Sequence, residues 1–407
     1  MTALFSGAAL MNAAMAVASA VGTIAAGDRL GERWGAVPNT AGIVGTGIGA
    51  LVLTAVMGRH GRKAGLNCGY LASAGGGALA AAAVTDTAAG DMGLLSAGML
   101  LLGLGNAGAQ LSRYAAADLY PAERRGFAIG TVVWAGAIGA VGGPLLLGPS
   151  GTVAGALGAT PLTGPYVLAT VAALGAAAAL ATVRRDPPDS AGAGRTPRDG
   201  PDATAASGGV TGTAVLDRAS GKTRLRSVAR ASGARTALAV MVVAQMVMVA
   251  VMTAVPLDMH MHGQGLGAVG TTLAAHTFGM FAFSPVTGWL LDRAGARLVM
   301  SGGLLTLVAA TALAASGGGA PLRTGALFLL GYGWNLCFVG GSGQLARGLP
   351  SSARASVEGA VDAAVWSIAA AASLASTLLL SAGGYAALGW AACALIAVPA
   401  VLLLRAG

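Results

Sequence analysis

The sequence predicts an all-α membrane protein of twelve transmembrane helices, six and six, joined by a linker. Three observations predict it. Charged residues are only 10% of the 407, hydrophobic ones are 55%, and mean hydropathy is +0.72. Soluble domains carry about 25% charge, so a chain this poor in charge cannot cover a water-facing surface. Its apolar residues fall into twelve runs close to the roughly 20 residues that cross a bilayer core. One stretch, 184–235, breaks the pattern with prolines, small polar residues and ten Arg or Lys.

The runs follow in order. The first, 5–25, has no basic segment before it and reads as a retained helix rather than a leader. The second, 39–57, ends in the basic loop 58–63, and 64–84 follows. The fourth, 92–112, stops at Arg113. The fifth, 127–147, is rich in glycine and holds Pro144, and 164–183 closes the first six. The break at 184–235 cannot bury enough apolar surface to fold alone and reads as a flexible cytoplasmic linker. The second six are 236–255, 268–290, 298–316, 324–345, 359–381 and 386–404. The expected units are therefore a bundle at 1–183, the linker, and a bundle at 236–407. The 66 glycines suit close approach of membrane helices.

Charge sets the orientation. With both termini cytoplasmic, the inner loops and C-terminus hold 21 of the 24 Arg and Lys. Only Arg29, Arg33 and Arg323 lie outside, so the positive-inside rule places the termini within the cell. The formal charge of +9 serves topology rather than nucleic-acid binding, because the basic residues sit in short clusters between apolar runs. Cys68, Cys337 and Cys393 are dispersed in apolar runs and suggest no disulfide framework. The expected setting is a bacterial inner membrane, with the protein a monomer whose partners are the lipid bilayer and a small-molecule or metal substrate.

The two sets of six echo each other. The loop after the eighth run reads Gly288-x-x-x-Asp292-Arg293-x-Gly295-x-Arg297, and the loop after the second contains Arg59-His60-Gly61-Arg62. Aligned on Arg-x-Gly, they sit at equivalent places in a repeated unit. This pattern resembles the cytoplasmic-loop signature of the major facilitator superfamily. The resemblance implies alternating access, with Asp292 tethering the halves in one state. The copy around Arg59 has lost that carboxylate. In the fifth run Gly130, Gly139, Gly143, Pro144 and Gly148 resemble the signature of proton-coupled antiporters. There the glycines allow tight contact and Pro144 gives a hinge.

Soft ligands recur at helical spacing. Met241, Gln245, Met248 and Met252 share a face of the seventh run; His276 and Met280 are four apart in the eighth, as are Met11 and Met15 in the first. Thioether and imidazole suit Cu(I). Met248 with Met252, followed by His276 with Met280, resembles the paired motifs of CcoA-type copper importers in the superfamily. Copper would then be substrate, not cofactor. Met is also a common core filler, whereas an ionisable His276 inside a span is a functional candidate. Beyond Asp258, the alternation Met259-His260-Met261-His262 could capture a metal at the outer mouth or form an ordinary polar turn.

Among the acids, Asp362 lies one turn inside the eleventh run and is the preferred proton carrier. Asp118 and Glu358 are further candidates with a structural alternative beside Arg113, Arg124 or Arg354. Asp28, Glu32, Asp86 and Asp91 read as solvated outer groups. Gln110, Trp134, Tyr332, Trp334, Asn335 and Trp366 could line a cavity, whereas Trp34 and Trp390 fit interface anchors. The sequence shows no phosphate-cradling loop, zinc spacing or cysteine pair, so no enzyme is expected. Secondary transport by alternating access leads. Its substrate is a soft metal imported or an organic compound exported against protons. A non-transporting sensor is the reading from another class.

Overall fold

A computed structural model describes residues 2–85, 92–118, 125–182, 232–316, 319–347 and 351–405. Most of the linker reading at 184–235, together with Asp86 and Asp91, lies outside them. The described residues are helical, with no strand. In chain order the helices are α1 (Thr2–Leu30), α2 (Ala36–His60), α3 (Arg62–Ala83), α4 (Met92–Asp118), α5 (Arg125–Leu145), α6 (Leu147–Ala156) and α7 (Thr163–Ala181). The second half holds α8 (Ser232–Met261), α9 (Leu266–Phe281), α10 (Ser284–Ala315), α11 (Ala320–Arg347) and α12 (Ser351–Arg405).

Twelve helical segments are present among the described residues once the breaks within these helices are placed, with α3 and α11 not among those that qualify as spans by length and composition. By length and composition, seven stretches qualify as spans, or eight with the bent pair in α5 and α6, but two of the seven are composite. In α10 the backbone leaves helical geometry at Gly295, and in α12 at Gly383 and Gly384. The eighth span is therefore α9 plus α10 up to Gly295, and α12 supplies the last two.

The eighth run is not the single helix expected. It breaks at Ala282–Phe283, because Pro285 opens the second piece and cannot donate to the preceding turn. The fifth span also continues past the expected 147 as α6, bent by 46° just beyond Pro144.

The repeat is visible in the backbone. Every described residue with positive φ is glycine, and the six pair up across the halves. Gly31 matches Gly263 after the first span of each half, Gly61 matches Gly295 after the second, and Gly158 matches Gly384 after the fifth. Gly61 adopts φ 85°, ψ 162° and Gly295 adopts φ 80°, ψ 161°. A side chain is disfavoured in that region, so Arg-x-Gly keeps its glycine in both copies.

Bulky apolar side chains face outward on many helices, among them Leu157, Leu305 and Leu404. Water would penalise so much exposed apolar surface, whereas lipid does not. Some of the polar groups that turn inward are bonded to one another. Thr287 donates to Asn335 Oδ1 at 2.6 Å, and Asn335 Nδ2 donates to the Met280 carbonyl and to Ser284 Oγ. These bonds re-satisfy backbone where the eighth span breaks.

Candidate functional site

A cavity of about 650 Å³ lies between the halves. It is lined by the middles of α1, α2 and α4, by α5, and by α8, α9, α11 and α12. Its polar lining is Asn12, Asn39, Asn106, Gln110, Gln245 and Asn335, with several Ser and Thr hydroxyls. Met15, Met248, Met252 and Met280 supply thioethers, and Trp334, Phe281 and Phe338 supply rings. No ionisable side chain is among the described lining residues.

The expected metal set is split. Met248, Met252 and Met280 come together with Met15 at the cavity. His276 does not join them. It is fully buried on the α11 side, where its Nδ1 lies 3.0 Å from the Leu327 carbonyl. Met11 is also fully buried, packed near Ser73 and Gly105 rather than lining the cavity. Met241 packs against Gly341.

The Met/His alternation of the outer mouth does not converge either. Residues 258–261 are still helical, so alternate side chains diverge instead of sharing a face. Met259 is fully buried and Met261 is 49% exposed. His260 Nε2 contacts Asp28 of the other half at 3.2 Å, and His262 Nδ1 lies 2.7 Å from the Asp258 carbonyl. Asp258 itself forms a buried ion pair with Arg323, whose guanidinium sits 5.5 Å from the Tyr385 ring centre. Arg323 is thus buried and paired, whereas Asp28 stays exposed beside His260.

The halves are joined at the end away from the termini. Asn39 Nδ2 donates to Thr253 Oγ1 at 3.1 Å and Ser373 Oγ at 3.2 Å, and Thr377 donates to the Arg33 carbonyl at 3.1 Å. Leu257 of α8 is fully buried against Gly27 and Gly35 of the first half. Nearer the middle, Thr277 donates to the Ala140 carbonyl at 3.1 Å. At the opposite end, Asp292 and Arg293 are exposed and Arg293 stacks on Trp289, 4.9 Å from its ring centre. Arg59, Gly61 and Arg62 are exposed there too, while Gly288 stays within its helix. Among the described residues Asp292 forms no ion pair.

The fifth-span pattern is a packing seam. Gly139 abuts the backbone of Ala9 and Gly143 that of Ala13, so α5 presses directly on α1. Pro144 offers its carbonyl side to Gly270 of the other half. Trp134, 67% exposed, faces outward rather than into the cavity. Tyr332 joins an aromatic cluster with Phe283, their ring centres 5.4 Å apart. Trp34 and Trp390 are exposed. The side chains of Asp118, Glu358, Asp362 and Trp366 lie outside the described set.

Asn12, Asn39, Asn106 and Leu257 are the lining and closing residues that the sequence reading missed. An asparagine inside an apolar run is a signal in itself, since lipid offers it no partner.

Comparison with known proteins agrees with this geometry. Residues 4–268 match the family model described as Major Facilitator Superfamily. The chain belongs to the major facilitator superfamily. It is similar to the uncharacterized MFS-type transporter YdeG of Bacillus subtilis (strain 168), 31% identical over 379 residues, 92% of this chain and 84% of the relative. It is also similar to the riboflavin transporter RfnT of Brucella anthropi, 26% identical over 371 residues, 89% and 84% of the two chains. Among solved structures, a partially occluded inward-open conformation of the xylose transporter XylE from E. coli superposes with TM-score 0.67 at 13% identity, covering 100% of this chain and 98% of that one. The peptide transporter POT in complex with sulfate gives TM-score 0.68 at 15% identity, covering 99% and 94%. The chain is a multi-pass secondary transporter of this superfamily, not an enzyme.

Proposed function

We propose that this transporter moves an uncharged organic solute by alternating access through the cavity between its halves. The observation that carries the reading is the cavity lining: amides, hydroxyls, thioethers and rings, with no ionisable side chain among the described residues. A charged solute entering such a site would lose its water without a counter-charge, at several kcal/mol. The volume of about 650 Å³ lies in the usual range for small-molecule sites. The relative RfnT carries riboflavin in its name, and a flavin is an uncharged planar solute of this kind.

Copper(I) import loses support here, because His276 faces α11 and leaves thioethers alone at the cavity. Methionines without an imidazole are better read as a polarisable, adaptable lining for an organic ring. The test is binding to purified protein and counterflow in liposomes, comparing riboflavin, a cationic tricycle such as acriflavine, and Cu(I) under reducing conditions. Riboflavin should exchange, and saturable exchange of acriflavine or Cu(I) alone would sink the reading.

We further propose cytoplasmic termini, supported by the 21-to-3 basic bias. The cavity would then be closed toward the outside. A single cysteine at Ser207 should resist an impermeant reagent in intact cells and react after permeabilisation. Strong labelling of intact cells would invert the orientation.

A further inference from the structure

We infer that the cavity reads an N–H/C=O edge on its solute, the adjacent donor and acceptor of a lactam or imide ring. The inference rests on the uncharged-solute reading and adds the pattern of hydrogen bonds.

An amide side chain can usually present either end to a ligand. Here three are fixed by partners whose role is unambiguous. The Trp334 indole N–H can only donate, and it donates to Gln245 Oε1 at 2.8 Å. The Gln245 Nε2 hydrogens remain. The Ala8 carbonyl can only accept, so Asn12 gives it Nδ2 at 2.9 Å and keeps Oδ1 free. The Thr46 hydroxyl gives its proton to the Gly42 carbonyl at 3.0 Å, so Asn106 must donate Nδ2 to it, at 3.3 Å. Asn106 Oδ1 remains. Among the described residues none of these remaining atoms has a partner.

All three amides line the cavity. The unpartnered atoms of the first half, on Asn12 and Asn106, are therefore acceptor oxygens, each Nδ2 keeping one further hydrogen, and that of the second half, on Gln245, is a donor nitrogen. A solute that carries both N–H and C=O has a partner for each in this lining. A ring with neither leaves buried amides unmet. Beside Gln245, the Trp334 and Phe338 rings stack at 4.8 Å and 20°, an apolar wall next to the donor. Asn335 takes no part, since its own bonds are internal.

The test uses the purified full-length protein and measures equilibrium binding of four probes. They are riboflavin, riboflavin methylated on its imide nitrogen, the neutral tricycle phenazine, and the cationic tricycle acriflavine. Riboflavin should bind at least about tenfold more tightly than the methylated form or phenazine, the scale of one unmet buried hydrogen bond. Gln245→Leu should collapse the preference for riboflavin over its methylated form. Trp334→Phe should do the same while keeping a ring in place, because Gln245 is then free to rotate. Equal binding of riboflavin, its methylated form and phenazine overturns the edge but leaves the uncharged-solute reading standing. Binding of acriflavine alone overturns both. Binding of no probe, or an unchanged preference in both variants, overturns the edge.

Discussion

Gly27→Leu is expected to drive the transporter out of the conformation described here. Leu257 of the second half fills the space beside Gly27 and Gly35, so a side chain at position 27 would enter the volume that Leu257 occupies. Overpacking of this kind costs about 1–3 kcal/mol, and each 1.4 kcal/mol is about a factor of ten in population. The cost falls only on the state closed at this end, so the state open there gains. Transport should drop by more than about tenfold, because one of two needed states is depleted. In a cysteine-free background, a cysteine at Asn39 should become more reactive to an impermeant reagent applied from the side away from the termini. Leu257→Ala should act in the same direction, since it deletes the buried plug itself. If neither change raises labelling at position 39, Leu257 is packing and not a gate.

The second large effect is on stability. Arg323→Met should cost about 3–5 kcal/mol, because it leaves Asp258 buried without its counter-charge. Asp258 is 4% exposed and Arg323 9%, so water cannot take over the missing partner. His262, with Nδ1 3.5 Å from the Asp258 carboxylate, is too exposed to replace it fully. Thermal unfolding of the purified variant should show a marked loss, and adding Asp258→Asn should restore part of it. A single variant as stable as the parent would mean that the pair carries no net weight. Since Asp258 adjoins Leu257, this pair also fixes the helix end that carries the plug.

Much of the fold was legible because lipid makes simple demands. A span needs about twenty apolar residues, and the run at 236–255 sits inside α8 as that rule requires. The Arg-x-Gly alignment predicted a repeat, and Gly61 and Gly295 have nearly the same backbone angles. The site was less legible. Spacing gives the phase of a helix but not its neighbours. Residues four apart differ by about 40° around the axis. That turn separates Met280 from His276 and Met15 from Met11, whereas Met248 and Met252, also four apart, both line the cavity. The motif at 258–262 misled for a related reason: alternation shares a face only in a strand, and α8 runs through to Met261. Among the amides, Gln110 and Asn335 were legible as lining, whereas Asn12, Asn39 and Asn106 belong to no spaced motif.

That neutral lining has an electrical consequence. Moving one elementary charge across a membrane is worth about 2.3 kcal/mol per 100 mV. An uncharged solute in a lining without charge would cross at no electrical cost and with no electrical gain. The resting potential of the cell would neither pull it in nor hold it out. Any voltage dependence of transport would then have to enter through titratable groups away from the described lining, with Asp118, Glu358 and Asp362 the first to examine.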